Sequence, residues 1–443
     1  MSRKRKNRLP AEPRLAVIDS LSHEGRGVAG IDGKTTFIHG ALPGEEVMFR
    51  YTDRHSRFDE GYTVEVIKRS EERHDPDCPH FGVCGGCSLQ HMDSAAQIRH
   101  KQAVLLEQFQ RFGGVAPEQL FAPLTGPTRG YRRKARLGVK YVAKKAKVLV
   151  GFREIYSRFV ADIDSCLVLH PAVGELLPAL QDLVASLSIY QRLPQIEVAV
   201  SDDQIVMVVR HLEPISDDDR EKLAAFEQAH GVIFFLQPRG PDSIVRLSDT
   251  AFPGLKYRLP EHDIEIAFTA TDFTQVNTDI NRLMVNRVIE LLELHDTDRV
   301  LDLFCGLGNF TLPMARYCAG VTGVEGDAAL IERAKFNAMH NGINNAEFVV
   351  ANLMDEFLQA AFLQQTYSKI LLDPPRSGAR EIIEKLDLSN TETLVYVSCN
   401  PATLARDAGI LVNMKHMRLL QAGVMDMFPH TSHVESIALF KHQ

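Results

Sequence analysis

The 443-residue sequence predicts a multidomain α/β protein, on three observations. Residues 1–70 break into short alternating runs separated by turn residues, the mark of a small β module. Residues 71–265 mix strand-like and helical stretches and carry a cluster of cysteines. From residue 266 onward, apolar strand-like runs alternate with amphipathic helical ones, and the strand-like runs end on glycine, a carboxylate or Asp-Pro. Such alternation builds a parallel sheet whose carboxyl edge binds ligands.

Composition narrows the class. Apolar residues make up 45% and charged residues 24%, as in ordinary soluble chains. No apolar run approaches the ~18 residues of a membrane span. Residues 1–8 are basic with no apolar stretch behind them, so no secretory signal is expected. A cytoplasmic monomer without membrane contact is the expectation. The net charge of −7 conceals an asymmetry: residues 1–160 hold 28 Lys and Arg against 18 Asp and Glu, or +10, which leaves 22 against 39, or −17. The basic half suits a polyanion.

In residues 1–70, strands are expected over 14–19, 27–31, 35–38, 46–51 and 62–67. Asp32-Gly33 is a hairpin signal and Pro43-Gly44 a second turn. Five short strands fit a small barrel of the OB type, a frequent binder of oligonucleotides, and an SH3-like barrel fits the same pattern.

Next come Cys78, Cys84 and Cys87, three of the seven cysteines, among Gly82, Gly85 and Gly86. Glycines let a backbone fold around a metal group and offer amides to its sulfurs. Zinc and iron–sulfur centres both take about four ligands. Cys166 is the best-placed fourth by chain position, with His80 and His91 as options for zinc; spacing alone leaves both centres open.

A helix is expected over 94–112, ended by Gly113-Gly114. Residues 129–158 then carry eleven Lys and Arg against one acid, Glu154, with Tyr131, Tyr141, Phe152 and Tyr156 among them. Cations neutralise phosphates and rings stack on unpaired bases, so this band is a candidate RNA surface. Residues 171–186 read as helix, and 195–210, 231–237 and 263–268 as strand. No catalytic constellation falls there.

A long helix is expected over 276–294, followed by strand, glycine turn and helix over 299–313. Gly306-x-Gly308 lacks the third glycine of the dinucleotide fingerprint, which disfavours NAD. Glu325 ends a second strand about 20 residues on, where a carboxylate can accept the hydroxyls of a ribose. Further strands lead to Asn352 and to Asp373-Pro374-Pro375-Arg376. The run 395–401 ends on Cys399-Asn400-Pro401, which puts a thiol at the carboxyl end of a strand.

This order of polar strand ends resembles the S-adenosylmethionine (SAM) methyltransferases, with a Rossmann-like domain. Amine methyltransferases follow Asp-Pro-Pro with an aromatic, where this chain has Arg376, and cytosine-5 RNA enzymes carry a second cysteine there, which this chain lacks. Cys399 in Ser-Cys-Asn-Pro, residues 429–435 (Pro-His-Thr-Ser-His-Val-Glu) and residues 273–277 (Phe-Thr-Gln-Val-Asn) resemble the uracil-5 RNA methyltransferases. The segment from Cys78 to His91 resembles that of the bacterial 23S ribosomal RNA members, and residues 20–30 and 40–46 resemble the TRAM domain, an RNA-binding OB fold. The transfer-RNA members lack both features. The resemblance implies domains over 1–70 (TRAM), 71–265 (central, with the cluster) and 266–443 (methyltransferase). It implies a [4Fe–4S] cluster on Cys78, Cys84, Cys87 and Cys166, and SAM lined by Gln275, Phe304, Asn309, Glu325, Asn352 and Asp373. Cys399 would be the nucleophile and Glu435 the base in methylating C5 of a uridine in 23S ribosomal RNA.

Overall fold

The computed structural model describes residues 9–10, 12–353 and 361–442. The chain divides into two compact units. The first comprises Met1–Val104, Glu154–Ser157 and Phe428–His433, and the second the remainder.

The first unit is built on a six-stranded sheet of β1 (Arg14–Val17), β2 (Ser20–Leu21), β3 (Gly27–Ile31), β4 (Lys34–His39), β5 (Glu46–Arg54) and β6 (Phe58–Lys68). Its order is β1-β5-β6-β4-β3-β2. Six strands stand where five are expected, because Ser20 and Leu21 pair with β3 as a short strand of their own. Alternation buries Ala16, Ile18, Ala29, Ile38, Val47 and Phe49 on one side of the sheet. The turn before β5 is held by Glu45, whose buried carboxylate accepts the Leu42 N–H at 2.8 Å and the Arg73 guanidinium at 2.7 Å. Gly40 and Gly44 take φ of 77° and 78° there, which only glycine adopts without cost.

Helix α1 (Ser94–Gln108) ends in a wider turn over Phe109–Gly113, capped by Gly114 at φ 61°. The glycine stop falls where the sequence places it.

The second unit holds two larger sheets. One contains β8 (Lys134–Val142), β9 (Lys147–Gly151), β10 (Gln195–Val200), β11 (Ile205–Arg210), β12 (Ile233–Gln237) and β13 (Val245–Arg246), in the order β13-β12-β11-β10-β8-β9. Helices α2 (Pro171–Gly174), α3 (Leu177–Ser186) and α4 (Asp217–His230) accompany it. A hairpin of β14 (Leu255–Leu259) and β15 (Ile264–Phe268) follows. Helix α5 (Thr278–Leu292) starts two residues later than expected, because the Asn277 side chain caps it by accepting the Ile280 N–H at 3.2 Å.

The other sheet has eight strands, including β7 (Gln119–Leu120) at one edge. Its remaining members are β16 (Arg299–Leu303), β17 (Gly320–Glu325), β18 (Ala346–Val350), β19 (Lys369–Leu372), β20 (Thr393–Ser398), β21 (Met417–Met425) and β22 (Glu435–His442). Helices α6 (Thr311–Ala315), α7 (Ala328–His340), α8 (Arg380–Lys385) and α9 (Pro401–Asn413) connect them. The order is β18-β17-β16-β19-β20-β22-β21-β7. The first five run parallel, and their order reverses at β16, so a crevice opens beyond the carboxyl ends of β16 and β19. Strand β22 enters antiparallel beside β20.

Candidate active site

The carboxyl edge of the eight-stranded sheet gathers five polar strand ends. After β16 the chain turns sharply: Phe304 takes φ 70°, an uncommon conformation for a side-chain-bearing residue, and Gly306 and Gly308 take 53° and 89°. Phe304 N and Cys305 N both donate to Val324 O, at 2.9 and 3.1 Å, which ties the turn to β17. A Cβ on Gly308 would stand 3.0 Å from Leu312, whereas one on Gly306 would meet nothing within 4 Å. Gly306 therefore faces open space, as a backbone cradling a ligand does.

Glu325 closes this turn from the end of β17. One of its carboxylate oxygens accepts the Gly306 N–H at 3.2 Å, and the other accepts Gly326 N–H at 2.7 Å and Asp327 N–H at 3.1 Å. Asn309 is fixed from behind. Its amide pairs reciprocally with that of Asn281, at 3.0 Å in both directions, and its oxygen also accepts the Tyr257 hydroxyl at 2.8 Å. Gln275 lines a narrow cleft with Arg133, Tyr257, Thr274 and Asn281. The loop that carries it is held by Arg133 N donating to Val276 O at 2.8 Å and by Arg333 on the buried Asp272 carboxylate at 2.6 Å. Asn352 lies exposed just past β18.

Asp302 and Asp373 end the two central strands. Asp302 is fully buried; one carboxylate oxygen accepts the Thr311 hydroxyl at 2.5 Å, and the other has no hydrogen-bond partner among the described residues. Burial first, then the nearby Glu325 charge, pushes its carboxyl up to about 7. Asp373 is likewise pushed to about 7, by burial and then by Asp302. Both suit a cationic ligand, whose charge would offset the cost of burial and the mutual repulsion that raise them.

Cys399 follows β20, and Asn400 caps α9 by accepting the Ala402 N–H at 3.1 Å. The Asn400 side chain also donates to Arg376 O at 3.0 Å, tying the thiol's loop to the one after β19. Strands β20 and β22 pair antiparallel as far as Ser398 opposite Ser436, with Cys399 next along one strand and Glu435 next along the other. Burial, then the charges of Glu435 and Asp373, push the Cys399 thiol up to about 11, against the lowering pull of Arg376. A helix N-terminus ordinarily favours a thiolate; here burial and two carboxylates outweigh it.

The comparisons with known proteins agree with this geometry. The family model described as tRNA (Uracil-5-)-methyltransferase matches residues 93–443. The chain belongs to this family. It is 52% identical over 432 residues to the 23S rRNA (uracil(1939)-C(5))-methyltransferase RlmD of Francisella tularensis subsp. novicida, covering 96% of each. The RlmD of Nitrosococcus oceani is 54% identical over 435 residues, covering 98% of this chain and 97% of the relative. Among solved structures, the tRNA (uracil-54, C5)-methyltransferase of Pyrococcus abyssi in complex with S-adenosyl-L-homocysteine superposes with a TM-score of 0.73 over 96% of this chain and all of that one. At 22% identity it shows the fold. Uracil-5 methyltransferase membership is thus as the sequence motifs imply.

Of the residues singled out in the sequence, Gln275, Phe304, Asn309, Glu325, Asp373, Cys399 and Glu435 all lie in the second unit. Asp302, Tyr257 and Asn281 gain parts that sequence reasoning did not assign. Asp302 had a signal, as the acid that opens the glycine turn, but Tyr257 and Asn281 had none. The four cysteines singled out in the sequence divide between the two units. Cys78, Cys84, Cys87 and Cys166 are half-buried and in no disulfide, the first three in one unit and Cys166 in the other. Gly86 N–H reaches the Cys84 sulfur at 3.4 Å. Among the described residues, no group of three or more His, Cys, Asp or Glu is placed to hold a metal. The basic band is also partly spent: Lys145 and Lys147 both pair with Asp162, at 2.7 and 2.8 Å, and Arg136 with Glu197 at 3.1 Å.

Proposed function

We propose that the protein methylates C5 of one uridine in 23S ribosomal RNA, with SAM as donor, Cys399 as nucleophile and Glu435 as base. The observation that supports this reading is that Cys399 and the buried Glu435 each stand one residue beyond the last β20–β22 pair, Ser398 with Ser436, near enough for the Glu435 charge to act on the thiol. The names of the relatives support 23S RNA as the substrate and point to uridine 1939.

The substrate dictates the need for both groups. C5 of uracil is a weak nucleophile. Once Cys399 has lost its proton to solvent, its sulfur adds to C6, and the C5–C6 electron pair moves to make C5 an enolate carbon, which would take the methyl of a bound sulfonium, the S–CH3 bond pair staying on the sulfur of a neutral thioether that then leaves. The Glu435 carboxylate then removes the C5 proton, the C5–C6 double bond re-forms, and the C6–sulfur bond breaks to free the thiolate. Arg376 favours the thiolate against its acidic neighbours. A paired or stacked uridine must first leave its stack to reach a thiol held in a crevice.

The acidic rim and the open glycine turn fit SAM, which when bound supplies an electrophilic methyl on a sulfonium. Glu325 would hold its ribose, and Gln275, Phe304, Asn309, Asn352 and Asp373 would line the rest of its site. The thiol set of Cys78, Cys84, Cys87 and Cys166 fits a [4Fe–4S] cluster in chemistry, and the Gly86 amide on Cys84 is the kind of donor such sulfurs take. The first sheet, over residues 1–70, we read as a TRAM domain that binds RNA, with a central domain over 71–265 and the methyltransferase domain over 266–443. The working state we expect is a cytoplasmic monomer.

Unmodified 23S RNA incubated with the protein and SAM should gain 5-methyluridine at a single mapped position, and RNA that stays unmodified would overturn the reading. Protein purified without oxygen should hold about four irons per chain; one zinc instead would remove the cluster.

A further inference from the structure

The segment Phe428–His433 leaves the second unit and packs in the first, immediately before Val434 and Glu435. Two buried polar side chains of α1 serve its backbone. Lys101 is fully buried and donates from Nζ to Phe428 O at 3.0 Å. Gln97, 1% exposed, accepts the His430 N–H at 2.9 Å while donating to Leu89 O at 3.0 Å and Met92 O at 2.8 Å. Ser88 N and Leu89 N both donate to His430 O at 2.9 Å, and Ser432 N donates to the Ser88 hydroxyl at 3.1 Å. Gly25 leaves no room beside them: a Cβ there would stand 2.8 Å from Leu89 and 3.3 Å from Ser432. His430 itself takes φ 65°, a conformation that persists only where its surroundings impose it.

Stripping water from a lysine and a glutamine is costly unless their polar atoms are used. Here Lys101 holds Phe428 O, and Gln97 holds His430 N–H while its amide bonds Leu89 O and Met92 O, so both side chains serve the backbone of this six-residue segment. We propose that Gln97 and Lys101 are positioning residues for Glu435: by fixing the chain from Phe428 to Ser432, they set where β22 begins, and its first residue is Glu435. This rests on the reading of Glu435 as the base.

A purely structural role and a positioning role predict different products. Thiol addition and methyl transfer precede proton removal, so a displaced Glu435 stalls the reaction with Cys399 still bonded to C6. A loss of fold lowers the active fraction and leaves no such species. The full chain carrying Lys101→Met or Gln97→Met is incubated with unmodified 23S RNA and SAM, and resolved on a denaturing gel beside wild type and Glu435→Gln. Expected is a covalent protein–RNA band in both variants, a kcat lower by at least about tenfold, and a KM for SAM within about twofold of wild type. Wild-type release, or lost turnover with no covalent band, overturns the proposal. If neither variant folds, Ser88→Ala, which deletes the acceptor for Ser432 N, carries the test: release at the wild-type rate then overturns it. A Glu435→Gln lane without the band identifies failure of the base assignment instead.

Discussion

Cys399 shows two local influences opposed and a clear winner. Its place before α9 favours a thiolate, yet burial, Glu435 and Asp373 hold the thiol up to about 11. At neutral pH the free protein therefore carries the protonated, unreactive form, and the deprotonated fraction grows about tenfold per pH unit until the pKa is reached. The single-turnover rate of adduct formation should rise between about pH 7 and pH 9 without levelling; a plateau below about pH 8 would show a thiolate already formed. Arg376→Gln, which removes the opposing cation, should slow that step at pH 7 and leave the slope intact. Cys399→Ser should abolish turnover while SAM still binds, because the serine hydroxyl is far less acidic and less nucleophilic. Protonated Cys399 also makes the free enzyme a poor target for stray electrophiles and oxidants, since the thiolate is the reactive species.

At the scale of elements, the turn between β16 and α6 is the part of the site most sensitive to a single methyl group. Gly308 at φ 89°, with Leu312 3.0 Å from where a Cβ would stand, combines backbone strain with a packing clash. The φ alone costs about 1–2 kcal/mol for an L-residue. Gly308→Ala should therefore weaken SAM binding about tenfold or more in a calorimetric titration, with Cys399 chemistry intact at saturating cofactor. This turn was readable in the sequence because glycine spacing records a backbone requirement directly. So were the polar strand ends, whereas the cap at Asn277 was not, since the helix was expected to run through it from residue 276. The amide pair of Asn281 with Asn309, and Tyr257 behind it, were not: α5, the β14–β15 hairpin and the glycine turn lie apart in the chain, and their side-chain types carry no periodic signal. The helix over 94–112 was legible in its glycine stop but not in its widened last turn. The short β2 escaped because two residues make no alternation.

For the whole molecule, charge is the property the sequence describes least well. Composition assigned eleven cations to residues 129–158, but the fold brings acids from elsewhere to some of them. Asp162 takes Lys145 and Lys147, and its carboxyl is held below its ordinary value by those two lysines. Both pairs are partly exposed, so they contribute little to stability. They matter for RNA instead, since a lysine shared with a carboxylate releases fewer counterions when it meets a phosphate. Asp162→Asn should tighten RNA binding and steepen its dependence on salt, while Lys145→Ala and Lys147→Ala should each weaken it only slightly. Equal salt slopes for wild type and Asp162→Asn would place the RNA on other cations.

The antiparallel entry of β22 has a last consequence, for what changes the molecule tolerates. A ladder sets side chains on alternate faces, so it behaves as a ruler with two-residue marks. Thr393 to Ser398 are matched one to one against Lys441 to Ser436, which fixes the phase of residue 435 against residue 399. A residue lost inside β22 would shift that phase by one mark and turn the Glu435 carboxylate to the far side of the sheet, with fold and thiol both kept. A residue gained between Ser432 and Glu435 would leave the ladder in phase but would lengthen the tether between Glu435 and the backbone anchored at Phe428 and His430. Length is thus constrained on both sides of Glu435, by a ladder on one and by a tether on the other.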